Sequence, residues 1–192
     1  MQKIIAQSIE ESILIKEKIL NDSNLQLKIA TVVDKCISAL NSGNKILLCG
    51  NGGSASDAQH IAAELSGRFY FDRPPLNAEA LHVNSSYLTA VANDYGYEKT
   101  YSRMVEAKGK KGDILLAFST SGKSKNILNA ISIAKKIGIY TVGFTGAEAA
   151  LMHDCSINIE VPSSNTPRIQ EAHILIGHII CQIIEHKMFQ KQ

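Results

Sequence analysis

The 192-residue chain reads as an α/β protein, a three-layer α/β/α sandwich around a mostly parallel five-stranded sheet, preceded by N-terminal helices. Three observations point there. Short apolar runs of strand length alternate with longer stretches of helical period. Runs such as Ile46–Cys49 and Ile114–Phe118 are apolar at consecutive positions, as in strands covered on both faces. Two of them end in clusters of glycine and hydroxyl residues that open into a helix, the arrangement of a parallel sheet with crossover helices.

Taken in order, Ile5, Ile9, Ile13, Lys16 and Leu20 recur every three to four positions, and a second periodic stretch runs from Leu25 to Leu40 until Ser42, Gly43 and Asn44 break it. Two amphipathic helices are therefore expected first. Lys45–Cys49 (KILLC) is the first strand, followed by a glycine cluster and a helix over Ser54–Leu65, with Ser54 and Asp57 read as a capping box. Further strands are expected at Glu79–Val83, Ile114–Phe118, Ile139–Phe144 and Ile157–Val161, and helices at Ser86–Ala92 and Ser124–Ile137. The last helix, Pro167–Lys187, has Thr166 as its expected N-cap and Pro167 in its first turn. Its middle, HILIGHIICQII, is apolar at nearly every azimuth, which predicts burial on all sides. In a chain this small other subunits would supply that cover, so a homo-oligomer is expected, the alternative being a central helix inside a monomer.

Composition removes several functional classes. Twenty Lys plus Arg against 18 Asp plus Glu leave a net charge of +2 with no basic stripe, so no nucleic-acid partner is expected. Cys36, Cys49, Cys155 and Cys181 make no CxxC pair and read as reduced, mostly buried thiols. No stretch approaches the ~18 uncharged apolar residues of a membrane span, and MQKIIAQSIEESILIKEKIL lacks the features of a secretory leader. A cytoplasmic protein with no membrane partner is expected.

Three segments carry chemistry. In CGNGGSASDAQHIAAEL (Cys49–Leu65) the glycines at 50, 52 and 53 let the backbone turn sharply and approach a ligand at a helix N-terminus. This is neither a dinucleotide nor a P-loop fingerprint, and Asn84 stands where a dinucleotide site would place an acid. His60 and Glu64, one turn apart on the following helix, share a face and suit either a metal or a surface hydrogen bond. In ILLAFSTSGKSKN (Ile114–Asn126) the hydroxyls of Ser119, Thr120, Ser121 and Ser124 meet a helix N-terminus, a site suited to a phosphate monoester, and Lys123 adds a charge. Both loops follow strand C-terminal ends, so one cleft can hold them, with Asn93 and Asp94 beside it. In TPRIQEAHILIGH (Thr166–His178), Gln170 and His178 are polar groups on an apolar helix, and His173 competes with His178 for a functional role.

With AVANDYGY (Ala90–Tyr97), STSGKS (Ser119–Ser124) and RIQEAHILIGH (Arg168–His178), the glycine-rich segment resembles the SIS (sugar isomerase) family and, within it, the phosphoheptose isomerases, over essentially the whole chain. The resemblance implies one SIS domain over residues 1–192, with residues 1–41 as a helical extension used in oligomerisation. It implies a cytoplasmic homotetramer with active sites at subunit interfaces, interconverting sedoheptulose 7-phosphate and D-glycero-D-manno-heptose 7-phosphate through an enediolate for bacterial heptose biosynthesis, as a precursor of lipopolysaccharide or capsule. It implies one zinc ion per site on His60, Glu64, Gln170 and His178. Substrate contacts would be Asn51, Gly52, Gly53, Glu64, Asn93, Asp94, Ser119, Thr120, Ser121, Ser124 and Gln170. Glu64 and His178 would be the catalytic base and acid. Lys123 stands where the family pattern has asparagine.

Helix geometry constrains that ligand set. Gln170 and His178 are eight residues apart, ~12 Å of rise and ~80° of rotation, too far for one straight helix to bring both to one ion. They are expected to reach a given metal from different subunits, or from a broken helix. The competing reading is a non-catalytic SIS tetramer that binds a replication initiator or senses sugar phosphates. The presence of both Glu64 and His178 favours the isomerase.

Overall fold

The computed structural model describes residues 1–147, 152 and 154–190. Helices α1 (Gln2–Leu20) and α2 (Ser23–Asn41) open the chain, the second capped by Asp22, whose carboxylate accepts from Leu25 N at 2.9 Å. Next come β1 (Ile46–Gly50), α3 (Gly53–Ser66), β2 (Ala78–Ala80), α4 (Ser85–Tyr95), a 3₁₀ turn (Tyr97–Lys99) and α5 (Thr100–Lys108). The chain continues with β3 (Ile114–Phe118), α6 (Lys125–Ile137), β4 (Tyr140–Gly146), β5 (Ile157–Val161) and α7 (Thr166–Phe189).

The described strands pair in parallel throughout, in the order β2-β1-β3-β4-β5. Side-chain alternation divides the core between the two faces. Ile46, Leu48, Leu116, Phe118, Val142 and Phe144 pack under α1, α2, α3 and α7, while Leu47, Cys49, Leu115 and Ala117 pack under α5 and α6. This is the expected α/β/α sandwich. From β1 the chain steps outward to β2 on one side and returns to β3 on the other, so the crevice of an open α/β sheet lies beyond the C-terminal ends of β1 and β3.

Several local expectations need correction. Ser54 and Asp57 form no capping box: the backbone turns through Gly52 at φ +55°, the helix starts at Gly53, and Ser54 is carried into the core. Thr166 is the first residue of α7 and not its cap; Asn165 precedes it without a side-chain cap bond. The third-layer helix expected to stop at Ala92 continues to Tyr95, ended by Gly96 at φ +87°, so Asn93 and Asp94 lie within its last turn. The strand expected over Glu79–Val83 is Ala78–Ala80, because Asn84 starts α4 by accepting from Tyr87 N at 3.0 Å. The 3₁₀ turn and α5 went unanticipated. Finally, a single chain does not bury α7 on all sides: Ile176, Ile180 and Ile184 are enclosed, while Leu175, Ile179 and Ile183 line a groove of about 500 Å³ with Ile19, Leu20 and Ile29.

Candidate active site

Helices α3 and α7 run parallel and close, because residue 177 has no side chain. A Cβ at Gly177 would lie 2.3 Å from Ile61 Cδ1, so the backbone of α7 rests directly on Ile61. That approach sets His178 against the exposed face of α3. His60 Nε2 stands 3.0 Å from Glu64 Oε1 and 3.3 Å from His178 Nε2. Ligand atoms of His60, Glu64 and His178 all lie within 4.8 Å of one another. Two nitrogens and a carboxylate oxygen form a donor set suited to zinc, and bonds of ~2.1 Å at tetrahedral angles separate ligand atoms by ~3.4 Å, close to both measured edges. Burial holds the His178 imidazole below its ordinary pKa, as does neighbouring His60, with Glu64 opposing.

Gln170 lies elsewhere in the same chain. Its amide covers Gly53, where a Cβ would meet Gln170 Nε2 at 2.6 Å, beside the glycine-rich turn and two turns of α7 before His178. The helix is unbroken from Thr166 to Phe189, so a broken helix does not bring the two together.

A buried ion pair braces the far end of this helix pair. Glu185, fully buried on α7, accepts from Phe69 N at 3.0 Å, Tyr70 N at 2.7 Å and Arg73 Nε at 3.1 Å. Arg73 donates to two carbonyls in the last turn of α3, that of Glu64 at 2.8 Å and that of Leu65 at 2.7 Å, the second of which also accepts from Leu76 N at 3.1 Å. The backbone of the loop after α3 is thereby tied to α7, and the Phe69 ring sits 5.5 Å from the His178 ring. The amides and the guanidinium together hold the Glu185 carboxyl below the usual range despite its burial.

At the crevice end, Ser119 Oγ donates to Ser124 Oγ at 3.2 Å, and Lys123 N donates to Ser121 Oγ at 3.2 Å. Ser124 precedes α6 without capping it through its side chain, so the hydroxyls of the loop and the first-turn amides of the helix share one mouth. Asn51 is held by two residues absent from the expected set: it exchanges hydrogen bonds with Asn126, and it accepts one from the Tyr97 hydroxyl. Asn93 and Asp94 are exposed and bonded to each other at 2.9 Å.

His173, the competitor of His178, belongs to the core. It is fully buried, its Nε2 lies 3.2 Å from Thr145 O, and its ring packs edge-on to Phe118 and Phe144. Burial pushes it down to about 4, so it stays neutral at physiological pH. Asp57, on the His60 face of α3, is pushed up to about 6 by burial against the opposing pull of His60, and its Oδ2 is buried with no partner among the described residues. Cys36, Cys49 and Cys181 are buried, Cys155 is half-buried, and all four are free, with burial raising each thiol well above its ordinary pKa.

The SIS domain family model matches residues 9–146. A phosphoheptose isomerase of Campylobacter jejuni is 54% identical over 182 residues, covering 94% of this chain and 90% of its own. One from Burkholderia pseudomallei is 51% identical over 189 residues, covering 98% and 96%. Among solved structures, a phosphoheptose isomerase from Francisella tularensis superposes with TM-score 0.91 at 38% identity over 96% of this chain and 98% of that one. Its counterpart from Neisseria gonorrhoeae gives 0.87 at 37% identity over the same shares.

Proposed function

The chain belongs to the SIS domain family, and from its likeness to phosphoheptose isomerases we propose that it interconverts sedoheptulose 7-phosphate and D-glycero-D-manno-heptose 7-phosphate. The observation that carries this reading is the meeting of a carboxylate and an imidazole, Glu64 and His178, around His60 on two helices braced together. Moving a carbonyl between C2 and C1 requires one group to carry a proton between the carbons and another to carry protons between the oxygens. Glu64 meets His60 through Oε1, which leaves Oε2 to take the proton from C1 and return it to C2. Loss of the C1 proton leaves an enediolate; His178 passes a proton to its O2 and recovers one from O1, so no proton is gained or lost overall.

His60, Glu64 and His178 would hold zinc, with Gln170 of the partner subunit as the fourth ligand, since Gln170 of the same chain is turned to Gly53. When bound, the ion supplies Lewis acidity at the carbonyl and orients the adjoining hydroxyls. Ser119, Thr120, Ser121 and Ser124 would grip the phosphate, and Asn51, Gly52, Gly53, Asn93 and Asp94 the sugar hydroxyls. The apolar groove beside α7 and the exposed Ile4, Ile5, Ile9, Ile13 and Leu14 of α1 support self-association, in which residues 1–41 would make subunit contacts within a homotetramer. Free thiols and a phosphorylated sugar substrate favour the cytoplasm, and no described helix is long and apolar enough to cross a membrane.

The test is isotopic. Protein incubated with sedoheptulose 7-phosphate in deuterated water is expected to place deuterium at C1 or C2 and to stop doing so after chelation. No exchange in the zinc-loaded protein overturns the isomerase reading.

A further inference from the structure

We propose that Asn126 and Tyr97 are positioning residues that lock the Asn51 carboxamide with one N–H, and no acceptor, toward the crevice, so that this loop recognises an oxygen of the sugar phosphate acting as acceptor. The inference rests on the proposed sugar-phosphate site and adds to it the polarity of one of its contacts.

The argument is a count of donors and acceptors. The amide N–H of Ile127 can only donate, and it points at Asn126 Oδ1 at 3.0 Å, which settles which end of the Asn126 amide is oxygen. The rest follows from complementarity. Asn126 Oδ1 also receives Asn51 Nδ2 at 2.9 Å, and Asn126 Nδ2 donates to Asn51 Oδ1 at 2.8 Å. The Tyr97 hydroxyl donates to the same Asn51 oxygen at 3.0 Å. Both lone pairs of Asn51 Oδ1 are thus occupied. Of the two hydrogens on Nδ2 one is spent on Asn126, and one remains.

Placement gives the pair its leverage. Asn51 follows β1 directly, and Asn126 lies in the first turn of α6, just past the hydroxyl loop of β3. β1 and β3 are paired neighbours, with Gly50 opposite Phe118, so the amide pair bridges the two loops across the mouth of the crevice. Asn126 is 3% exposed and Tyr97 51% exposed. The first is therefore a fixed strut, while the second adds its bond from the solvent side. The Tyr101 hydroxyl, bonded to Gly50 O, anchors the backbone one residue before Asn51.

The measurements are kcat, KM and the calorimetric Kd for sedoheptulose 7-phosphate in wild type, Asn126→Asp, Tyr97→Phe, Asn51→Ala and both combinations with Asn51→Ala. Asn126→Asp keeps the shape but cannot donate to Asn51. It is expected to raise KM and Kd at least tenfold with kcat within threefold. Tyr97→Phe, which removes one exposed hydroxyl and leaves the fold intact, is expected to raise them two- to fivefold. In the Asn51→Ala background both changes are expected to have less than a twofold effect, because they act only through Asn51; a general structural role would persist there. Undiminished effects in that background, or unchanged KM and Kd in the single variants, overturn the proposal. If the wild type binds the sugar phosphate without turning it over, the isomerase reading fails while the Kd values still decide this one.

Discussion

Gly177→Ala is the most informative single change, because it tests whether contact between two helices creates the metal cluster. The new methyl carbon would stand 2.3 Å from Ile61 Cδ1 and 2.8 Å from Ile61 Cγ1, against the ~3.5–4.0 Å that two carbons require. Ile61 is fully buried, so it has little room to yield and α7 must move away by about 1 Å or more. Two terms compete in stability. Alanine gains roughly 1 kcal/mol over glycine within a helix, and overpacking costs about 1–3 kcal/mol, so the net loss is expected to be small, ~0–2 kcal/mol. Metal binding has no such compensation, since ligand distances tolerate only about 0.2 Å. His178 adjoins residue 177 and moves with it, while His60 and Glu64 remain on α3. Zinc affinity, measured by competition with a chromophoric chelator, is expected to fall at least ~100-fold, the upper end of what disturbing a supporting shell costs. Ile61→Ala as a second change removes the clashing carbons and should restore most of the affinity. A Gly177→Ala protein that binds zinc within threefold of wild type would refute the reasoning.

Other outcomes follow from the same contacts. Glu64→Gln should lower turnover by ~10²–10⁴-fold; near-normal rates would remove Glu64 from its role. Arg73→Ala leaves the buried Glu185 carboxylate uncompensated and should cost about 3–5 kcal/mol in urea unfolding, whereas replacing both with apolar residues should recover much of that loss. His173 has a folded pKa of about 4 against 6.5 for the free side chain, so the unfolded chain binds the extra proton first. Stability is then intact above pH 6.5 and falls as pH drops toward 4, by roughly 3 kcal/mol from this group; His173→Gln should flatten that part of the pH–stability curve.

How much of this was legible in the sequence depends on the range over which each signal acts. The strand Ile114–Phe118 falls where its apolar run places it, because burial on both faces leaves an unbroken pattern, whereas the edge strand Ile157–Val161 is marked by the alternation of Ile157, Ile159 and Val161 with Asn158 and Glu160. The 3₁₀ turn and α5 escaped because only Tyr101, Met104 and Val105 form an apolar stripe within a polar segment, although all three are buried. His60 and Glu64 announce themselves by a spacing of four within one helix. His178 joins them only through packing at Gly177, and Gln170 faces Gly53 for the same reason, which no periodicity encodes. The Asn51–Asn126 exchange spans 75 residues and the Arg73–Glu185 pair 112, and neither leaves a local trace. A buried polar residue shows its purpose only when its partner is present.

The order in which the chain is made gives that packing a temporal meaning. On a ribosome, α3 with His60 and Glu64 emerges long before α7, and until α7 arrives Ile61 lacks the backbone at Gly177 that it packs against. A nascent chain extended only through Asn165 would hold both loops of the crevice yet leave the side chains that pack on α7 open to water, a natural target for a holding chaperone.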